Sequence, residues 1–283
     1  MEIAFHLKKF KQIKNPKFFF KHIKKFYGEK IKSLYNNYDA FFQYEGGIYI
    51  GNEFCLHLLP TADELKKIED KNTKITLLTP PLTNKGLKKC AYLLDHLIKF
   101  NKPQVVVNDW GILLFIKKNY PKLKISAGRL LNKAFKDPRL SETQKDKFFT
   151  SSTFDNPNFC KLIKSLGISG LEQDILPYQN ISEFHIKEDT LQSFYFPFGY
   201  ITTGRVCLTA LLQKNKANAL AIADKCAKPC SSRLLELKND SFLFSVFQKG
   251  NTVFYLYPAS MLEAFVEKAK NKNIRMVYQG DIF

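Results

Sequence analysis

The chain has no run of eighteen apolar residues, so no membrane-spanning helix is expected. Met1 to Leu7 lacks a basic segment followed by a long apolar stretch. No secretory signal is expected there, and the location read from the sequence is cytoplasmic. The phosphate-cradling G-x-x-x-x-G-K-[ST] and G-x-G-x-x-G motifs are absent, as is H-E-x-x-H. No Ser/His/Asp order is compelling. Arginine is scarce: it supplies five of the 44 basic residues, the other 39 being lysine. Arginine is the preferred side chain for bidentate phosphate and base contacts. Its scarcity weakens the nucleic-acid reading that a formal charge of +18 invites. Much lysine with much Asn, Ile, Phe and Tyr is also what an AT-rich genome encodes. Both causes of the charge stay open, and RNA stays a candidate partner.

What is present is a regular alternation. Short apolar runs at Ile3–Leu7, Gly47–Gly51, Lys74–Thr79, Gln104–Asn108, Lys122–Ala127, Ile168–Leu171, Leu191–Phe196 and Ile274–Tyr278 read as strands. Between them, helical spacing marks Pro16–Tyr35, Thr61–Glu69, Lys85–Phe100, Asp109–Tyr120, Asn156–Leu166 and Ser260–Lys272. Strands apolar throughout and separated by helices point to a parallel sheet covered on both sides. Eight such units in 283 residues suit a (β/α)8 TIM-barrel-like fold in one domain over 1–283. The pattern breaks between Ser193 and Thr252. Loops, a helix near Leu208–Asp224 and a hairpin of Ser241–Gln248 with Thr252–Tyr257 are expected there, so 199–257 reads as an insertion near the C-terminal end.

Six cysteines in a chain without a secretory signal are more easily explained by metal binding or burial than by disulfides. Cys90 and Cys160 sit on the apolar sides of helical segments and read as small buried hydrophobes. Cys55, Cys207, Cys226 and Cys230 lie off the regular elements, and the last two form a C-x3-C pair. Four thiolates are the full ligand set of a [4Fe–4S] cluster. They also suit a four-cysteine zinc site, although such sites usually pair two knuckles. Spacing alone does not separate the two metals.

Four segments also resemble the collagenase-like U-type peptidase family, in particular its ubiquinone-biosynthesis accessory branch of the UbiV-like kind. They are Ile48-Tyr49-Ile50-Gly51-Asn52-Glu53-Phe54-Cys55, Val105-Val106-Val107-Asn108-Asp109-Trp110-Gly111, Ile125-Ser126-Ala127-Gly128-Arg129-Leu130-Leu131-Asn132 and Thr203-Gly204-Arg205-Val206-Cys207. The Cys226/Cys230 pair is similar to the family's last two ligands, and the likeness runs in order from about residue 1 to 280. It implies a barrel, a [4Fe–4S] cluster on Cys55, Cys207, Cys226 and Cys230, and oxygen-independent hydroxylation of a quinone precursor or an RNA base. A paralogous family member as heterodimer partner is part of that expectation. The chain departs from the family pattern at Phe194-Tyr195-Phe196-Pro197-Phe198-Gly199, where many members carry Glu and His-Gly. A peptidase reading loses its acid/base group there, and the catalytic residue stays unknown.

Asp109, Arg129 and Arg205 follow strands at the rim where barrel chemistry sits, and are the candidate substrate-binding residues. Asp109 reads equally as a helix cap. Arg205 reads equally as an anion-binding group, a screen for cluster charge or half of an ion pair. The alternative role for the whole chain is a non-catalytic iron–sulfur electron-transfer or scaffolding subunit.

Overall fold

In a computed structural model, residues 1–8, 23–32, 45–68, 72–139, 152–177, 190–211, 226–270 and 272–280 are described. Eight strands close into a barrel: β1 (Glu2–His6), β2 (Glu45–Gly51), β3 (Ile75–Thr79), β4 (Gln104–Val107), β5 (Lys124–Ala127), β6 (Gly170–Gln173), β7 (Leu191–Phe196) and β12 (Ile274–Tyr278). Every neighbouring pair is parallel, and β12 closes the ring by pairing both β7 and β1. All eight expected strands are therefore barrel staves, within a residue or two at their ends. The connecting helices are α1 (Ala62–Lys66), α2 (Asn84–Leu97), α3 (Trp110–Asn119) and α4 (Pro157–Ser165), with α6 (Ala259–Ala269) ahead of β12. Half of the helix expected at Pro16–Tyr35 lies outside the described residues, as do residues 212–225 of the helix expected near Leu208–Asp224.

Alternation along the staves separates two cores. Ile48, Ile50, Leu77, Val105, Val107 and Leu171 face the helices and pack with Leu93, Leu94, Ile112 and Ile116. Ala4, Tyr49, Leu78, Val106, Tyr195 and Val277 form a separate cluster on the opposite, inner face. Cys90 lies in the outer core, fully buried on α2, as its spacing implies. Cys160 on α4 is half-buried, and its thiol donates to the carbonyl of Phe154 at 3.0 Å.

Between β7 and α6 the chain builds a second sheet. It is antiparallel, in the order β8 (Phe198–Thr203), β11 (Thr252–Leu256), β10 (Val246–Lys249), β9 (Leu235–Leu237). The expected hairpin exists as β10–β11, paired Lys249↔Thr252 around Gly250-Asn251. Its first arm is shorter than expected, because Asn239 accepts from the Ser241 N–H in a turn. The segment after Phe198, read from sequence as rim loop, is strand β8 as far as Thr203. This sheet lies over the C-terminal ends of the staves. Phe198, Tyr200 and Phe254 pack with Phe54 and Leu130 from the loops after β2 and β5.

Candidate functional site: four thiols around one rim cavity

The loop after β2 sends consecutive residues in different directions. Gly51 has φ +96, and a Cβ there would lie 2.5 Å from the Leu78 carbonyl oxygen, so the turn out of the stave needs glycine. The Asn52 side chain then accepts from the backbone N–H of Phe54 at 2.9 Å and of Cys55 at 2.8 Å. This fold-back is the local turn Asn favours. It places Glu53 inside the barrel, Phe54 in the packing between barrel and second sheet, and Cys55 on a cavity.

Cys207, Cys226 and Cys230 line the same cavity of about 330 Å³, so the structure gathers all four singled-out thiols at one rim. Cys207 leads into α5 (Leu208–Leu211), its carbonyl accepting from Ala210 and Leu211. The Lys228 N–H donates to the Cys226 sulfur at 3.3 Å, and the His57 N–H donates to that of Cys55. Both bonds run from residue i+2 back to the sulfur, and the one to Cys55 favours its thiolate form. Burial pushes the Cys55 thiol up to about 11, with Cys230, Cys207 and Cys226 adding to the rise. Burial likewise raises Cys230, followed by Cys207. The thiols thus sense one another's charge. Among the described residues, however, no three or more His, Cys, Asp or Glu side chains stand together closely enough to hold a single metal ion as they are.

The ionisable side chains around the thiols are basic: Lys8, His57, Arg205, Lys228 and Lys249 line the cavity, and no described Asp or Glu does. Lys249 also donates to the Cys230 carbonyl at 2.9 Å, and Lys8 to that of Ser231. Of the three expected substrate-binding residues, only Arg205 lines the cavity, and it is exposed.

Asp109 is a helix cap. One carboxylate oxygen accepts from Gly111 N at 2.8 Å and the other from Leu82 N at 3.1 Å. Arg129 does not line the cavity. It stands on the expected rim loop, but its side chain is 1% exposed and points inside the barrel. Its Nε donates to Glu53 at 3.1 Å and its Nη1 to Asp174 at 2.7 Å, while Nη2 bonds Glu53 and Gln279. Lys136 closes the group on Asp174 at 2.6 Å. The guanidinium also lies 3.7 Å from the centre of the Tyr195 ring. Two buried carboxylates need this charge, so Arg129 acts as their counter-ion. His6 is also internal. Its Nε2 bonds the Gly51 carbonyl at 2.9 Å, and burial lowers the ring to about 4, so it is neutral.

One residue of the site carries no signal in the sequence. The Asn251 side chain donates to the carbonyls of Phe54 at 2.8 Å and Gly204 at 2.6 Å. The hairpin turn thereby joins the Cys55 loop to the Cys207 loop. Asn251→Ala removes the donor to both carbonyls, one of them exposed, and is expected to cost about 1 kcal/mol. Urea unfolding should show that loss, and hydrogen exchange should quicken around 204–207 while the staves stay protected.

Comparison with protein-family models, curated proteins and solved structures gives no match. No described helix is long and apolar enough to cross a membrane.

Proposed function

We propose that Cys55, Cys207, Cys226 and Cys230 hold a [4Fe–4S] cluster at the barrel rim. The observation that carries this is the convergence of these four thiols, from segments up to 175 residues apart, on one cavity, while Cys90 and Cys160 lie elsewhere. The donor set fits: four thiolates complete a cubane's ligand shell. The basic lining fits as well, because a cubane with four thiolates is a net anion that Lys8, Arg205, Lys228 and Lys249 would stabilise. A tetrahedral zinc needs four sulfurs at about 2.3 Å from one point. The side chains as they stand make no such site, and it is the family resemblance that favours the cluster over zinc.

The role implied by the family resemblance is oxygen-independent hydroxylation of a quinone precursor or an RNA base, with a paralogous chain as partner. A cluster, when bound, supplies one-electron transfer. The chain's own residues hold the thiols in place, surround them with positive charge and offer Arg205 at the cavity mouth to an anionic group. A second reading is a non-catalytic electron-transfer or scaffolding subunit, for which the four thiols and their basic surround suffice. The test is to delete the gene under anaerobic growth and measure hydroxylated quinones and hydroxylated RNA bases. Loss of either product supports hydroxylation and names the substrate class. Unchanged levels of both, with the cluster demonstrated, leave the subunit role.

A further inference from the structure

The outer faces of α3 and α4 carry apolar side chains where solvent-facing polar ones are expected. Trp110 is 40% exposed, Leu114 60% and Leu162 46%. Trp110 meets the half-buried Phe159 edge to face, ring centres 6.1 Å apart, so the two helices present one continuous patch. Trp110 and Leu114 are four residues apart and Phe159 and Leu162 three, so each pair shares a side of its helix. The buried sides are different residues: Ile112, Leu113 and Ile116 on α3, and Ile163 on α4. Phe159 also packs against the outer core, which does not account for Trp110, Leu114 and Leu162.

Four exposed lysines accompany it, Lys117 and Lys118 at the end of α3 and Lys161 and Lys164 on α4. Neither helix contains an acidic residue or an arginine.

We propose that this face docks on the surface of an anionic lipid membrane. Trp110, Leu114 and Leu162 enter the headgroup region, and the lysines meet lipid phosphates. The charge is complementary to such a surface, and the chain's +18 adds long-range attraction. Tryptophan favours the membrane–water boundary, and lysine can lay its stem along apolar surface with its ammonium in the headgroups. A protein partner fits less well, since protein interfaces are depleted in lysine and enriched in arginine. Nucleic acid would leave Leu114 and Leu162 without a use. The face lies beside the thiol cavity: Asp109, just before Trp110, bonds the backbone of Leu82, which lines that cavity. The proposal stands on this surface alone and does not depend on the cluster.

Trp110 is the only tryptophan in the chain, so its emission reports on the face directly. The full chain is titrated with vesicles of phosphatidylglycerol mixed with phosphatidylcholine, and with vesicles of phosphatidylcholine alone. The anionic vesicles should shift Trp110 emission to the blue and sediment the protein, with binding weakened by salt. The Leu114→Asp/Leu162→Asp variant, checked for unchanged circular dichroism, should bind about tenfold more weakly. Sedimentation with unchanged Trp110 emission would mean that the general charge binds elsewhere, and would overturn the proposal. So would equal binding by the variant. A blue shift produced by RNA or by raising the protein concentration, and not by vesicles, would assign the face to another partner.

Discussion

Replacing Arg129 by methionine should cost about 3–5 kcal/mol of stability, the range for removing one partner of a buried ion pair. The arginine reaches Glu53, Asp174 and Gln279 at once, and Asp174 in turn holds Lys136. Methionine fills similar space but leaves the Glu53 carboxylate without its cation in a water-free interior. Arg129→Lys should recover only part of the loss, because one ammonium cannot span three partners as the planar fork does. Arg139→Met is the contrast. It removes an arginine that is largely exposed and bonded to Asp137, two residues away, and should change stability by about 1 kcal/mol or less. Urea unfolding of the three variants compares these values. A loss at Arg129→Met no larger than at Arg139→Met would return Arg129 to the candidate substrate ligands.

The second large effect is expected at the thiols. Alanine at Cys207, Cys226 or Cys230 should remove most of the iron from anaerobically prepared protein and bleach its visible absorption. Alanine at Cys55 should do the same, although it comes from a loop more than 150 residues earlier in the chain. Cys90→Ala and Cys160→Ala should keep the iron, since one is sealed in the outer core and the other bonds a backbone carbonyl away from the cavity. Metal binding at residues so far apart in sequence is also folding energy. Chelation should therefore loosen the segments around Cys207 and Cys226–Cys230 before the barrel melts. Full iron in the Cys55→Ala protein would remove Cys55 from the site.

The barrel was legible because its staves are buried on both faces, so Ile75–Thr79 and Ile274–Tyr278 read as largely apolar runs, broken only by Thr76, Thr79 and Arg275. The second sheet was legible only at its hairpin. β8 begins just after Pro197 and contains Gly199, both of which read as loop. β9 is three exposed residues, too short to carry a period. Asp109 showed its capping role because a cap is a local relation. Arg129 did not show its role, because Glu53 is 76 residues away and Asp174 45. The thiol set could be nominated from the types and placement of its residues. Asn251, which holds two of its loops together, is an ordinary turn asparagine until the fold brings Phe54 and Gly204 near.

Iron and acid-labile sulfide measured together on the anaerobically purified chain, with an absorption spectrum, test the central claim most directly. About four irons and an equal amount of sulfide per chain are expected, with a broad brown absorption that is lost in air. Stoichiometric zinc without sulfide, or protein free of metal under those conditions, would contradict it.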